Sequence, residues 1–188
     1  MIFFTSGDHL VILGGTSYYS GHGEKTLSDV EVLDMQDEVT GCEPTDLPSA
    51  VSRHASVYSS ALQSVITCGG ERNDRRCFVQ NKNGDKISFP EMNSGRSWFT
   101  MVSIRNQIVA IGGSASKNTI ETIRLNATLT KWDQQSMPFS VDSHCAVTLD
   151  NNVIIIGGRD ENNKVNRKFY LHLCNNEINI LVLFYMNI

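Results

Sequence analysis

Missing from this 188-residue chain are any excess of basic charge, any paired-cysteine motif and any apolar run long enough to cross a bilayer as a helix. Its 16 Lys and Arg stand against 20 Asp and Glu, for a formal charge of −4. Phosphate binding needs clustered cations that dominate the local field, so a nucleic-acid partner is not expected. The nearest cluster, Arg72, Arg75 and Arg76, is diluted by Glu71 and Asp74 and reads as a loop face. The 5 cysteines, Cys42, Cys68, Cys77, Cys145 and Cys174, contain no C-x-x-C, which argues against a zinc site or a thioredoxin-type motif. An odd, sparse set points to a reducing compartment and a cytoplasmic location, with Cys68 and Cys145 expected as small buried hydrophobes inside strands. The opening "MIFFTSGDHL" has neither the basic nor the long apolar region of a secretory signal. The apolar run Ile178 to Ile188 has 11 residues, short of the roughly 20 that a membrane helix needs, so no membrane partner is expected. Gly-rich phosphate loops, paired-carboxylate motifs and nucleophile elbows are absent as well. The histidines, His9, His22, His54, His144 and His172, are scattered. No catalytic residue, metal or cofactor is expected.

What the chain does have is a repeated phrase. Four diglycines, Gly14-Gly15, Gly69-Gly70, Gly112-Gly113 and Gly157-Gly158, lie 55, 43 and 45 residues apart, and each ends an apolar strand: "HLVILGG", "QSVITCGG", "NQIVAIGG", "NNVIIIGG". Three of these strands follow another across a tight polar turn, as in "WFTMVSI" before "RNQIVAIGG", which reads as a hairpin. After each diglycine come a polar loop and a third strand: "DVEVLDM", "RCFVQN", "TIETIRLN" and "RKFYLHL". A fourth strand can be placed at about Glu38 to Cys42, Lys86 to Phe89 and Thr130 to Gln134. No useful length of helical periodicity occurs anywhere. Four antiparallel strands per unit, at a period of about 40 to 50 residues, are the pattern of propeller blades. Glycine has no Cβ, so the diglycines are expected where the backbone takes a positive φ and a neighbour packs closely.

On these residues the chain resembles the kelch family of β-propellers, from Met1 to about Leu173. Trp132 and the Met137-Pro138 pair after it stand where a kelch unit carries its outer-strand Trp; the first two units have no Trp there, and Phe89-Pro90 substitutes in the second. The resemblance implies an all-β, kelch-type propeller segment over residues 1–174. Its blades of four antiparallel strands fall at about 1–47, 48–92, 93–139 and 140–174, part of a ring of six or seven, and 175–188 form an apolar tail. It further implies a protein-binding module rather than an enzyme, with ubiquitin-ligase substrate recognition or actin binding as the roles known in the family. Galactose-oxidase-like or sialidase-like catalysis, and a truncated gene product without a role of its own, are the alternatives.

Counting back 16 residues from the first glycine puts Arg53 and Arg96 at one place in successive units, with Asp142, Ser143 and His144 in the matching stretch of the last. In kelch modules that connection, with the loop after the diglycine, holds a partner's peptide at the channel mouth. The resemblance therefore implies partner binding by Arg53, Arg96, Ser97, Ser143 and His144, with Arg72 and Arg75 behind them. Arginine suits a carboxylate-bearing peptide because its planar fork pairs bidentately and stays charged. The same residues could instead hydrogen-bond to carbonyls of the next unit and lock the units together. The sequence leaves both readings open.

Overall fold

The computed structural model describes residues 2–4, 9–19, 23–34, 46–72, 74–81, 85–125, 131–165, 168–174 and 177–181. β-Branched and aromatic runs broken by Gly, Asn and Asp favour short pleated strands, and among the described residues there are strands and no helix. The first sheet is β1 (Ile2–Phe4), β2 (His9–Tyr19) and β3 (Gly23–Asp34). The second is β4 (Ala55–Ser59), β5 (Ser64–Cys68), β6 (Cys77–Asn81) and β7 (Lys86–Phe89). The third is β8 (Thr100–Ile104), β9 (Gln107–Ile111), β10 (Thr119–Arg124) and β11 (Asp133–Ser136). The fourth is β12 (Asp142–Leu149), β13 (Asn152–Arg159), β14 (Lys168–Cys174) and β15 (Glu177–Leu181). All four are antiparallel, with strands in chain order across each sheet. The strand expected at Glu38 to Cys42 lies outside the described residues. β15 falls inside the expected apolar tail and completes the fourth sheet.

The sheets stack in order through their first strands: β1 lies against β4, β4 against β8 and β8 against β12. Three apolar clusters fill the successive gaps. Val11, Leu13 and Val30 meet Val51 and Val65 between the first two sheets. Ala55, Ile66 and Cys68 meet Met101, Ile108 and Ala110 between the second and third. Val102, Val109 and Ile111 meet Val141, Val153 and Ile155 between the third and fourth. The middle sheets are therefore covered on both faces, and β5 and β9 are buried at every residue. β13 instead alternates buried and more open positions, as a strand with one covered face must.

All eight glycines of the diglycines have positive φ. Gly112 shows why a Cβ is excluded: at φ +59° it would stand 2.2 Å from the Val141 carbonyl oxygen and 3.0 Å from a Val141 methyl. Gly157, also at positive φ (+72°), has nothing within 4 Å of that position. Close packing thus belongs to some of these glycines and not to all. Gly112→Ala is expected to cost about 2 to 4 kcal/mol, from left-handed strain plus overpacking, whereas Gly157→Ala bears only the strain, about 1 to 2 kcal/mol. Urea denaturation of the two variants checks the difference.

The cysteines depart from expectation. Cys68 and Cys77 face each other in the β5–β6 register and form a disulfide, so Cys68 is not a free buried thiol. Cys145 is free but exposed, on the open face of β12. A closed Cys68–Cys77 pair is the oxidised form, so cysteine usage gives no argument for a reducing compartment. Among the described residues no helix is long and apolar enough to cross a membrane.

Candidate functional site

Each sheet is joined to the next by a connector that repeats one set of backbone contacts. The carbonyls of Val51, Arg96 and Val141 accept from the N–H of Gly15, Gly70 and Gly113, the second glycine of the preceding sheet. The next carbonyls, of Ser52 and Ser97, accept from the residues just after their own diglycines, Glu71 and Ser114. These contacts set the structural correspondence: Val51, Arg96 and Val141 are equivalent, and so are Arg53, Trp98 and Ser143. Arg53 and Arg96 therefore do not share a place. The hairpin between β4 and β5 has four residues (60–63), against two in the later sheets (105–106 and 150–151), so counting back from the glycines introduces an error of two.

Arg53, Trp98 and Ser143 form a short ladder across three connectors. Trp98 N–H donates to the Arg53 carbonyl at 3.0 Å and Ser143 N–H to the Trp98 carbonyl at 2.8 Å. All three have positive φ, +58°, +57° and +52°. For bulky residues that conformation costs on the order of 1 to 3 kcal/mol and persists where the surroundings enforce it, often at working sites. It turns these side chains outward: Trp98 is 48% exposed, and the Arg53 guanidinium lies 5.1 Å from its ring centroid in a cation–π stack. Two carboxylates flank the stack, Glu71 at 3.7 Å and Glu24 at 3.9 Å from Arg53 nitrogens. Glu71 is steadied by the hydroxyls of Thr26 and Ser52, which donate to its Oε2 at 3.1 and 3.3 Å. Glu24 is paired in register with Tyr18, which is 74% exposed. An exposed arginine–tryptophan stack with an acidic margin results, and Tyr18 is exposed across the strand pair from Glu24.

Arg96 is elsewhere, with no exposed surface. Its Nε and Nη2 donate to Glu121 Oε1 at 3.2 and 2.9 Å, Nη1 to the Gly112 and Thr119 carbonyls at 2.6 and 3.0 Å, and Nη2 also to the Thr119 hydroxyl at 2.8 Å. Glu121 is equally enclosed and accepts further bonds from the N–H groups of Asn93 and Ser94 at 2.5 and 3.0 Å. Burial lowers the Arg96 pKa and Glu121 opposes that shift. With its donors spent inside the chain, Arg96 locks the connector to the third sheet and does not grip a partner. Ser97 is also buried, sharing a 2.7 Å hydrogen bond with Ser114.

His144 is buried too, and its equivalents by the same correspondence are His54 and Phe99. The Phe99 and His144 rings are wedged against glycines: Phe99 Cε1 stands 2.6 Å from where a Gly69 Cβ would be, and His144 Cε1 stands 3.2 Å from that of Gly112. No hydrogen bond of good geometry reaches either imidazole nitrogen of His54 or His144; at His54 the Leu13 backbone comes close enough to oppose weakly the lowering of its pKa. Burial holds both pKa values down, to about 4, with Asp142 opposing this at His144. His144 is a packing residue in the place of a phenylalanine. Of the remaining expected residues, Ser143 and Arg72 are exposed, and Arg75 is exposed and paired with Glu91 at 3.3 Å.

The structure thus brings Arg53 and Ser143 together and adds Trp98 and Tyr18, which sequence reasoning missed. Aligning the units on their first strands rather than on the glycines would have placed Trp98 beside Arg53. The described residues contain no group of three His, Cys, Asp or Glu able to hold a metal ion. A separate open cleft of about 420 Å³ between Pro48, Asp74, Arg76, Lys86 and Glu91 shares none of the ladder residues. No protein-family model matches the chain, and no curated protein does.

Proposed function

We propose that this chain is a segment of a kelch-type β-propeller that binds a partner protein through the surface formed by Arg53, Trp98, Ser143 and Tyr18. One observation carries the reading: a half-exposed tryptophan, held at positive φ and stacked by an arginine, on the connectors between successive sheets. Trp, Tyr and Arg are the side chains most often found to dominate binding energy at protein interfaces. The chemistry is that of an aromatic anchor with a polar rim. Arg53 already faces Glu24 and Glu71, so it does not act as an open clamp for an acidic peptide. Substrate recognition for a ubiquitin ligase and actin binding are the partner roles implied by the resemblance.

In this reading Trp98→Ala or Arg53→Ala weakens binding of a captured partner by about 2 kcal/mol each, roughly thirtyfold, without lowering the melting temperature. Alanine accepts the same positive φ about as poorly as tryptophan, so the fold loses little. Surface plasmon resonance with circular dichroism melts checks both halves. Unchanged affinity in both variants excludes this surface.

A further inference from the structure

The Cys68–Cys77 disulfide stands at a place in the fold that does not need a covalent bond. Cys68 precedes the first glycine of its sheet and is paired with Cys77 in the β5–β6 register. The corresponding pair of the third sheet is Ile111 and Ile120, both without exposed surface, and that of the fourth is Ile156 and Lys168. Strand pairing closes both of those sheets at that point unaided. In the second sheet the stretch after Cys68 also has backbone ties of its own. Gly69 N–H donates to the Arg76 carbonyl at 3.0 Å, Met92 N–H to the Arg75 carbonyl at 3.0 Å and Arg96 N–H to the Asp74 carbonyl at 3.2 Å. Opening the bridge therefore leaves the sheet folded.

The two sulfurs are not equally reachable. Cys68 is 1% exposed, enclosed in the apolar cluster between the second and third sheets. Cys77 is 6% exposed and lines the open cleft of about 420 Å³, which Cys68 does not. That volume falls within the range of about 300 to 1,000 Å³ that small-molecule sites occupy. The cleft wall carries charges of both signs, Asp74 and Glu91 beside Arg76 and Lys86. Such a lining suits a small zwitterionic thiol, whose carboxylates face the cations and whose ammonium faces the anions. The reduced state also has an acceptor in place for the Cys77 S–H, because the Arg75 carbonyl oxygen lies 3.9 Å from Cys77 Sγ.

The geometry points to a thiol-exchange site at Cys77, where a small zwitterionic thiol enters the cleft and reversibly opens the Cys68–Cys77 bridge. The incoming thiol loses its proton and its sulfur bonds to Cys77 Sγ as the S–S bond breaks. Cys68 Sγ leaves with the electron pair and takes up a proton, so Cys77 holds a mixed disulfide and Cys68 is a thiol. A second molecule of the thiol attacks the small-molecule sulfur of that mixed disulfide and frees Cys77 as a thiol. One protein disulfide is thereby reduced and two thiol molecules are oxidised to one disulfide. In the reverse of the first step, Cys68 displaces the thiol from Cys77 and closes the bridge again. The site stands apart from the proposed Trp98 surface and does not depend on it.

Glutathione is the probe. The 188-residue chain is held in buffers of graded reduced-to-oxidised glutathione ratio, quenched in acid, alkylated with N-ethylmaleimide in denaturant and mapped by mass spectrometry. The expected intermediate carries glutathione on Cys77 and the alkyl group on Cys68, about tenfold or more above the converse, because only Cys77 is reached from the cleft. Far-UV circular dichroism of the fully reduced chain is expected to match that of the bridged one. Lys86→Glu, which reverses one charge of the cleft wall, is expected to slow opening by glutathione about threefold or more and to leave opening by neutral 2-mercaptoethanol unchanged. Four results overturn the inference. They are a chain that forms no bridge in oxidised glutathione, an adduct on Cys68 as abundant as that on Cys77, a bridge that opens only as the circular dichroism signal is lost, and a Lys86→Glu chain that reacts with glutathione as fast as wild type.

Discussion

Glu121→Leu is expected to lower stability by about 3 to 5 kcal/mol, a large part of the total for a domain of this kind. The change leaves the Arg96 guanidinium charged at a site with no solvent access, and it removes the acceptor of the Asn93 and Ser94 amides. Desolvation of an unpaired charge outweighs the apolar contact that leucine adds. Arg96→Met in the same chain removes that charge, so the double variant is expected to recover much of the loss and to be more stable than Glu121→Leu alone. A double-mutant cycle by urea denaturation reads this coupling. Additive losses would mean that the pair is not the unit that holds the connector to β10.

Acidification is expected to cost as much through two histidines. Burial holds the folded-state pKa of His54 and His144 at about 4, below the ordinary histidine value of 6.5. In that window the unfolded chain binds more protons than the folded one, so stability rises with pH. The contribution is fully present above pH 6.5 and is lost as pH falls toward 4, at about 3 kcal/mol for each residue. Phe99 occupies the equivalent place, which supplies a replacement already suited to the site. A chain carrying His54→Phe and His144→Phe is expected to match or exceed wild-type stability at pH 7 and to lose little of it between pH 6.5 and 4.5. Melting temperatures at stepped pH check this; equal acid sensitivity in both proteins would assign the effect to carboxylates instead.

The strand pattern could be read from the sequence because it depends on local chemistry. Apolar strands ending in Gly-Gly, polar hairpin turns and the Lys86–Phe89 strand reflect propensities and backbone freedoms that act within a few residues. The site was less legible because its correspondence depends on connector geometry. A hairpin two residues longer in the second sheet gave Arg53 and Arg96 a common spacing without a common place. Arg96 finds Glu121 25 positions away, and such a buried pair has no motif. The Cys68–Cys77 disulfide likewise became visible only once β5 and β6 were in register. His144 was open to a partner-binding or a unit-locking role in the sequence, and its place is that of Phe99 in the previous unit.

The proposed partner-binding surface is tested most directly by proximity. A photo-reactive phenylalanine analogue placed at position 98 in one chain and at position 87 in another compares the ladder with Ile87, a residue 59% exposed on β7. Irradiated in cell extract, the chain labelled at 98 is expected to yield a discrete partner adduct that the chain labelled at 87 does not, and Arg53→Ala is expected to reduce that adduct. Equal labelling at both positions, or an adduct at 87 alone, would contradict a binding surface centred on Trp98.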